Sequence, residues 1–485
     1  MRVLLVKPRP EADQFGLAPF FQTEPLGLEY IAGALEHRGH AVAVADLRFL
    51  RKPIVSLLKE HRPDLVGIAC LHILDASATL RLADQVKAFR GDIFVLAGGH
   101  AASAYPEALR QSASIDAIGI GEGEALVPAL CDAIERKQSL EAIPSLMLHD
   151  RRGGFRDPAE EAGFLDLAQV RVPDRTKVAR FQNHYCCLNY MPVWSLETTR
   201  GCPHRCKFCS VWQFYKGSCR FHSPGAVRAD FESAGANVFV IDDIFWADAA
   251  HSEELARVLL RSSERKSWIL VQSRADLVAR SPQLLEIWRP LASNFDIFFG
   301  FESPAESRLK SLNKGADIAQ TVEAIRTARR LGYGVTGNFI IDPDFTEEDF
   351  TALWRFLDEN QLHRVGFTIL TPLPGTYYFE QVKDRLSVLD WNQYDLHHLL
   401  WPSRLPVERF FELYCETWRR SVLNLAGNKK WRHWLRGVSP MQIPRLIRIL
   451  WRTQKLMDPK AYLEEAKVPA SGVNPAGAGP EDQLE

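Results

Sequence analysis

The chain predicts an α/β protein built from two successive parallel sheets. Three observations carry that prediction. Short apolar runs alternate with helical stretches twice along the chain; a Gly/Pro/Asp/Arg-rich stretch separates the two series; and beyond residue 385 the strand-like runs give way to helical sequence. In the first series VLLVKP (3–8), AVAVADL (41–47), DLVGIAC (64–70), DIFVLAGG (92–99) and DAIGIG (116–121) read as strands. Between them LGLEYIAGALEHRG, PIVSLLKEHR and ATLRLADQVKAFR repeat apolar residues at helical spacing. Five apolar strands, each followed by a helix, predict a doubly wound, Rossmann-like parallel sheet covered on both faces. The second series runs VWSLETT (193–199), NVFVIDD (237–243), SWILVQS (267–273), FDIFFGFES (295–303), YGVTGNFII (333–341) and RVGFTILTPLPGT (364–376). Six strands in that rhythm predict a partial (β/α)6 barrel of the TIM type, with function at the C-terminal ends of its strands. The expected units are a first domain over 1–145, a linker over 146–190, a barrel core over 191–385, a helical region over 386–467 and a disordered Pro/Gly/Ala-rich tail over 468–485.

Composition narrows the class. At 485 residues, 46% hydrophobic and 25% charged, the chain is long enough for a large buried core. A net charge of −1 gives no general attraction to nucleic acid, so none is expected as a partner. No apolar run is long enough to span a membrane. The start, MRVLLVKP, runs straight into a strand and lacks a signal-peptide pattern. Nine cysteines, three of them clustered, suit a reducing cytoplasm better than a disulfide framework.

The cluster is Cys202, Cys206 and Cys209 in TTRGCPHRCKFCS, spaced Cys-x3-Cys-x2-Cys. A structural zinc site needs four closed ligands, which Cys219, Cys186 or Cys187 would have to complete. An iron–sulfur cubane held by three cysteines instead leaves one iron open for a substrate. With Phe208 before the last cysteine and the strand VWSLET leading into the loop, the pattern resembles the radical S-adenosylmethionine (AdoMet) enzymes. The resemblance implies a [4Fe-4S] cluster whose open iron chelates the amino and carboxylate groups of AdoMet. It places Asp242 and Asp243 near the amino group, Ser273, Arg274 and Glu302 near the ribose and methionine, and Asn338 with the TPLPGT turn near the adenine. Plainer readings stand beside these: a cap for a helix starting near Ala247 for the aspartates, and a buried ion pair between Arg274 and Glu302.

At the strand ends of the first domain stand His72 to Ser77, then Gly98-Gly99-His100, then Gly119-Ile120-Gly121-Glu122-Gly123-Glu124. Glycines let a backbone approach a bulky group closely. GGHAASAYPEAL and GIGEGEAL resemble the cobalamin-binding domain fused ahead of many radical AdoMet enzymes. The resemblance makes Gly98, Gly99, His100, Gly119, Gly121 and Glu122 the cradle of the cobalamin nucleotide tail. His72, Leu74 and Asp75 would face the lower side of the ring. The Asp-x-His-x-x-Gly signature for a histidine on cobalt is absent, which implies base-off binding without one. The alternative is a nucleotide-binding or empty flavodoxin-like domain.

Further segments, TEPLGLEYIAGALEHRGH, TRGCPHRCKFCSVWQFY, NVFVIDD, QSRADL, NFIIDP, TPLPGT and SRLPVERF, look like the hopanoid C-3 methylases over roughly residues 1–420. That similarity implies methylcobalamin-dependent radical methylation of an unactivated carbon of a membrane triterpenoid. It also implies a flavodoxin or ferredoxin type electron donor. Tyr185-Cys186-Cys187 has no place in the pattern. Rival functions are oxidative ring formation by a cobalamin-dependent cyclase, methylation of another natural product, and a non-catalytic cobalamin sensor with a structural metal. A transfer-RNA methylthiolase is disfavoured, since no second cluster or basic RNA module is evident. Residues 428–455 hold eight Lys/Arg and no Asp/Glu, with Trp431, Trp434 and Trp451 among Leu and Ile. Such a surface suits peripheral contact with the inner membrane face; a helix docked on the barrel with a solvated basic face is the plainer reading.

Overall fold

Strands that are apolar on both faces have to be covered on both faces, and the first sheet follows that rule. The computed structural model describes residues 1–10, 16, 18–150, 154–387, 390–421 and 443–465. The strands in chain order begin with β1 (Arg2–Lys7), the short β2 (Phe21–Gln22), β3 (Ala41–Asp46), β4 (Leu65–Ala69), β5 (Phe94–Gly98) and β6 (Ala117–Gly119). β1 and β3 to β6 form a parallel sheet in the order β3-β1-β4-β5-β6, with β1 and β4 buried almost throughout. The helices Leu26–His37, Ile54–His61 and Ala76–Phe89 supply crossovers between parallel strands, and Gly123–Glu135 follows β6.

The segment expected to be linker from residue 146 starts inside this sheet. β7 (Leu146–Asp150) and β8 (Gly154–Arg156) add to β6 as antiparallel strands. Leu146 and Met147 are buried there, which extends the sheet past the expected boundary. The remainder threads between the two domains in 3-10 turns. Arg175 donates to Asp230 at 2.9 Å and to the Ser195 carbonyl at 2.6 Å, and pairs with Glu24. β9 (Cys186–Cys187) pairs antiparallel with β2, and Tyr185 packs edge-on against Phe49. The unplaced Tyr-Cys-Cys is therefore a seam between the domains.

The second sheet is wholly parallel. β10 (Trp194–Leu196) leads into a small antiparallel pair, β11 (Thr199–Arg200) with β12 (Arg220–Phe221), that brackets the cysteine loop. Then follow β13 (Asn237–Val240), β14 (Lys266–Ser273), β15 (Ala292–Glu302), β16 (Gly334–Ile341) and β17 (Val365–Ile369), in the order β10-β13-β14-β15-β16-β17. One alternate set of side chains (Ile269, Val271, Ile297, Phe299) joins the core under the helices, and the other faces the barrel lumen. The helices Val407–Arg419, Ile443–Thr453 and Pro459–Glu465 close the C-terminal region, as expected for helical sequence. The expected disordered tail lies outside the described residues.

Candidate active site

The cysteine loop leaves the barrel at the C-terminal end of β10 and is held by its neighbours. Gly201 has φ +94, and a Cβ there would sit 2.2 Å from the Ser218 carbonyl, so only glycine fits ahead of Cys202. Asp242 accepts the Thr198 N–H at 2.7 Å and also takes the Thr198 hydroxyl, while Asp243 accepts the Gly201 N–H at 2.8 Å. The cap of the following helix is Asp248, which accepts the His251 N–H at 2.8 Å. The two aspartates therefore do not cap that helix; they tie the cysteine loop to β13. Burial pushes Asp242 up to about 7 and Asp243 up to about 6. Replacing Asp243 by alanine leaves the Gly201 N–H without an acceptor, a loss of about 1–3 kcal/mol. The expected result is a cluster that yields its iron to a chelator faster than the parent protein does.

Within the loop the Cys209 N–H bonds to the Cys206 carbonyl at 3.2 Å, and the Trp212 indole donates to the same carbonyl at 2.9 Å. Burial raises all three thiols, Cys209 to about 12. Coordination to iron has to displace those protons. Cys186 and Cys187 cannot complete a zinc site with them. Cys187 is buried with Val193, Trp268 and Leu270 at the opposite end of the strands. Among the described residues, no three His, Cys, Asp or Glu side chains converge as a single metal ion requires.

Arg274, at the end of β14, does not form the ion pair with Glu302 that the plainer reading gave it. Its Nε donates to Asp276 at 2.8 Å, its Nη2 to the Lys314 and Gly315 carbonyls, and its Nη1 faces the Cys206 sulfur at 3.9 Å. Glu302 pairs instead with Lys314 at 2.6 Å. The guanidinium thus lies against a cluster cysteine with most of its fork already used. Glu302 has φ +58 at a bulge between Gly300 and Glu302, a rare conformation for a side-chain-bearing residue. Ser273 donates to the Phe245 carbonyl at 2.8 Å, and Asn338 to Thr368 at 2.8 Å. Phe208 packs half-buried on the barrel core. The TPLPGT turn meets the first domain, with Gly375 against Ala104.

The opposing wall comes from the loops after β4, β5 and β6. Asp75 accepts Lys7 at 2.9 Å and the Leu71 N–H at 3.1 Å, so it shapes its loop rather than facing outward. His72 accepts the Leu74 N–H on Nδ1 at 3.3 Å, and burial lowers its pKa. In the neutral ring the proton then sits on Nε2. Leu74 is half-buried beside it, and Leu71, which sequence reasoning passed over, is an apolar side chain left 47% exposed. Its methyl lies 3.1 Å from where a Gly99 Cβ would be. Gly99 has φ +121 and could carry no side chain against the Cys70 carbonyl. Gly98 ends β5, Gly121 faces open space, and Gly119 makes room for Leu126. An apolar residue bared beside an open glycine loop fits the face of a large flat ring.

Two expected cradle residues cross to the barrel instead. His100 Nε2 lies 2.7 Å from the Ser210 hydroxyl, and its ring lies 4.7 Å from that of Phe214. Burial lowers it to about 4, so it is neutral. Both Glu122 oxygens are occupied: Oε1 accepts Arg200 at 3.0 Å and Arg220 at 2.8 Å, and Oε2 accepts the Leu165 N–H at 2.9 Å. Arg200 also binds Glu124 at 2.6 Å and Glu197 at 2.9 Å.

Residues 17–131 match the family model of the B12 binding domain, and residues 196–357 match that of the radical SAM superfamily. The chain is 28% identical to the hopanoid C-3 methylase of Methylococcus capsulatus, over 97% of this chain and 90% of that one. The chain belongs to the cobalamin-binding radical AdoMet methyltransferases. It is also 26% identical to the anaerobic magnesium-protoporphyrin IX monomethyl ester cyclase of Cereibacter sphaeroides, over 81% of this chain and 66% of that one. The fold matches the radical AdoMet methyltransferase TsrM of Kitasatospora setae with a TM-score of 0.66 at 19% identity, covering 98% of this chain and 92% of that one. The cofactors of this methyltransferase are cobalamin, AdoMet and a [4Fe-4S] cluster. When bound, the cluster supplies the electron that cleaves AdoMet and the cobalamin supplies the methyl group. The protein's part is to hold the two sites against each other and to exclude water between them.

Proposed function

We propose that this methyltransferase methylates an unactivated carbon of a membrane triterpenoid, and that the carbon is C-3 of a hopanoid. The supporting observation is the colinear similarity to a hopanoid C-3 methylase along nearly the whole chain, both cofactor domains and the C-terminal region included. In this reading Cys202, Cys206 and Cys209 hold the cluster, Arg274 screens it, and Asn338 lines the AdoMet end of the barrel. Leu71, Leu74 and His72 face the lower side of the cobalamin ring, with Gly98, Gly99 and Gly121 around its tail. A flavodoxin or ferredoxin type protein supplies the electrons. Deleting the gene is expected to abolish 3-methyl hopanoids from the lipid profile; their persistence would refute the assignment.

The similarity to a cyclase supports a second reading, ring formation without methyl transfer. Methyl-labelled AdoMet separates the two, since only methylation carries label into the product. A cobalamin sensor with a structural metal would hold one zinc per chain and form no 5′-deoxyadenosine after anaerobic reconstitution.

The membrane reading gains support from the helix Ile443–Thr453. Ile443, Ile447 and Trp451, spaced four apart, are exposed by 38%, 60% and 76%, while Leu450 is buried. Four-residue spacing puts the three on one face, in a segment with no acidic residue. Trp431 and Trp434 lie outside the described residues. Among those described, no helix is long and apolar enough to cross a membrane. Replacing Ile447 and Trp451 together by glutamate is expected to abolish sedimentation with anionic liposomes and to leave the cluster spectrum unchanged. Unchanged sedimentation would refute membrane contact through this helix.

A further inference from the structure

Glu29 lies in the first turn of the helix Leu26–His37 and is fully buried. Neither of its carboxylate oxygens has a hydrogen-bond partner among the described residues. Gly33 is one turn on and on the same face, and a Cβ there would come 4.0 Å from Asp174. Glu29 therefore faces the segment that joins the two domains. An ionised carboxylate held there would be a charge out of water with nothing to pair it, and a protein meets that cost by keeping the group neutral.

The guanidinium at this junction is already taken. Arg175 pairs with Glu24 of the cobalamin domain, and its Nη2 reaches both oxygens of Asp230, at 2.9 and 3.0 Å, on the barrel helix Pro224–Ser233. Glu24 also accepts the Ser195 N–H at 3.0 Å, on the strand that leads into the cysteine loop. Two carboxylates, one from each domain, thus share one guanidinium, and a third charge would find no partner. The other titratable groups around the site are engaged elsewhere. Asp174 accepts the Thr176 N–H at 3.0 Å, and the Tyr185 hydroxyl bonds Asp46 at 3.4 Å. Arg200 and His222, beyond Tyr30, are paired with Glu197. Burial, with Glu24 adding to it, holds the Glu29 pKa well above the usual carboxylate range.

We infer that Glu29 is a proton-operated latch between the two domains: as a neutral acid it lets the cobalamin domain close on the barrel, and its ionisation loosens that junction. When the junction opens, the carboxyl meets water and ionises like any glutamate; when it closes, the proton returns. Closure thus takes up one proton. The closed form is favoured at low pH and loses up to about tenfold per pH unit, from the ordinary carboxylate range up to the raised value of the closed state. Because Glu24 holds the Ser195 N–H at this point, what loosens is the seat of the strand that carries the cysteine loop.

Hydrogen exchange of the anaerobically reconstituted holoenzyme, read by mass spectrometry on peptides covering 21–25 and 193–197, tests the latch from about pH 6 to about pH 8, above the ordinary glutamate pKa. Parent and variants are compared at equal pH, where intrinsic exchange rates match. Parental protection of these peptides is expected to fall with pH more steeply than that of Glu29→Gln, by up to about tenfold per unit. Glu29→Met should lack the extra slope as well, and be at least as well protected as the parent at about pH 8, since the carboxyl it removes has no partner. Equal slopes in the parent and both variants overturn the inference. So does a slope that the variants remove alike from peptides throughout both domains, which would mark a buried acid without a latch. Lower protection of Glu29→Met at about pH 8, or its failure to load iron and cobalamin, overturns it too, because a carboxyl without a partner is dispensable for closure.

Discussion

Replacing Cys206 by alanine is expected to drop bound iron from about four per chain to a small fraction of that and to reduce 5′-deoxyadenosine formation to background. Cys206 is buried, its carbonyl anchors both Cys209 and Trp212, and its sulfur is the one Arg274 faces. Alanine keeps those backbone bonds, so the loop retains its path while a ligand is lost. With two thiolates left, the cubane has no stable seat and AdoMet no open iron. Cobalamin binding, which belongs to the other domain, should survive and shows that the variant is folded. Cys186 and Cys187 provide the contrast. Alanine at either removes a packed sulfur from the β2/β9 seam, costing about 1–3 kcal/mol with iron content unchanged. Full iron in Cys206→Ala, or iron lost from Cys187→Ala with its fold intact, would contradict the placement of the cluster.

The strands were legible because parallel strands buried on both faces are apolar without interruption, as RVLLVK and LVGIA are. The cysteine spacing was legible because three ligands on one loop are a local property. The roles of single charged residues were not, since a carboxylate's partner is set by the fold. Asp242 and Asp243 looked like a ligand pair or a cap, yet they hold Thr198 and Gly201, more than forty residues away in sequence. Glu122 stood in a glycine loop and read as a cofactor contact; its oxygens face Arg200 and Arg220 across the domain boundary. Arg274 and Glu302 did end neighbouring strands, but the bulge at Glu302 turns its carboxylate to Lys314. Leu71 could not be found by pattern, because an apolar residue in a loop announces nothing until its exposure is known. The hairpin β7/β8 was lost to its Gly, Arg and Asp residues, which read as linker. For Asp242, Asp243 and Glu122 the missing information was the identity of a neighbour distant in sequence.

Arg200→Met is expected to separate radical formation from methyl transfer. Arg200 stands two residues before Cys202, yet two of its three carboxylate partners, Glu122 and Glu124, belong to the cobalamin domain, and its guanidinium lies 5.3 Å from the Tyr30 ring. It is 6% exposed, and its removal takes a charge partner from three largely buried carboxylates, of which Glu122 keeps Arg220 and Glu197 keeps His222 while Glu124 loses its partner here. Breaking such a network by deleting one partner costs about 3–5 kcal/mol, visible as a lower unfolding temperature. The functional consequence follows from location. The cluster loop keeps its ties to Asp242 and Asp243 and stays on the barrel, so AdoMet cleavage continues. What loosens is the registry between that loop and the cobalamin loops, and a transfer between the two sites tolerates little displacement. The measurable result is a ratio: 5′-deoxyadenosine formed per methylated product should rise tenfold or so, while iron and cobalamin contents match the parent protein. Arg200→Lys restores the charge without the fork that spans two carboxylates, and should fall between the two. A variant that loses stability but keeps the parental ratio would show that the network only holds the domains together. A raised ratio in Arg200→Met and a smaller rise in Arg200→Lys would show that it also sets the distance across which the methyl group travels.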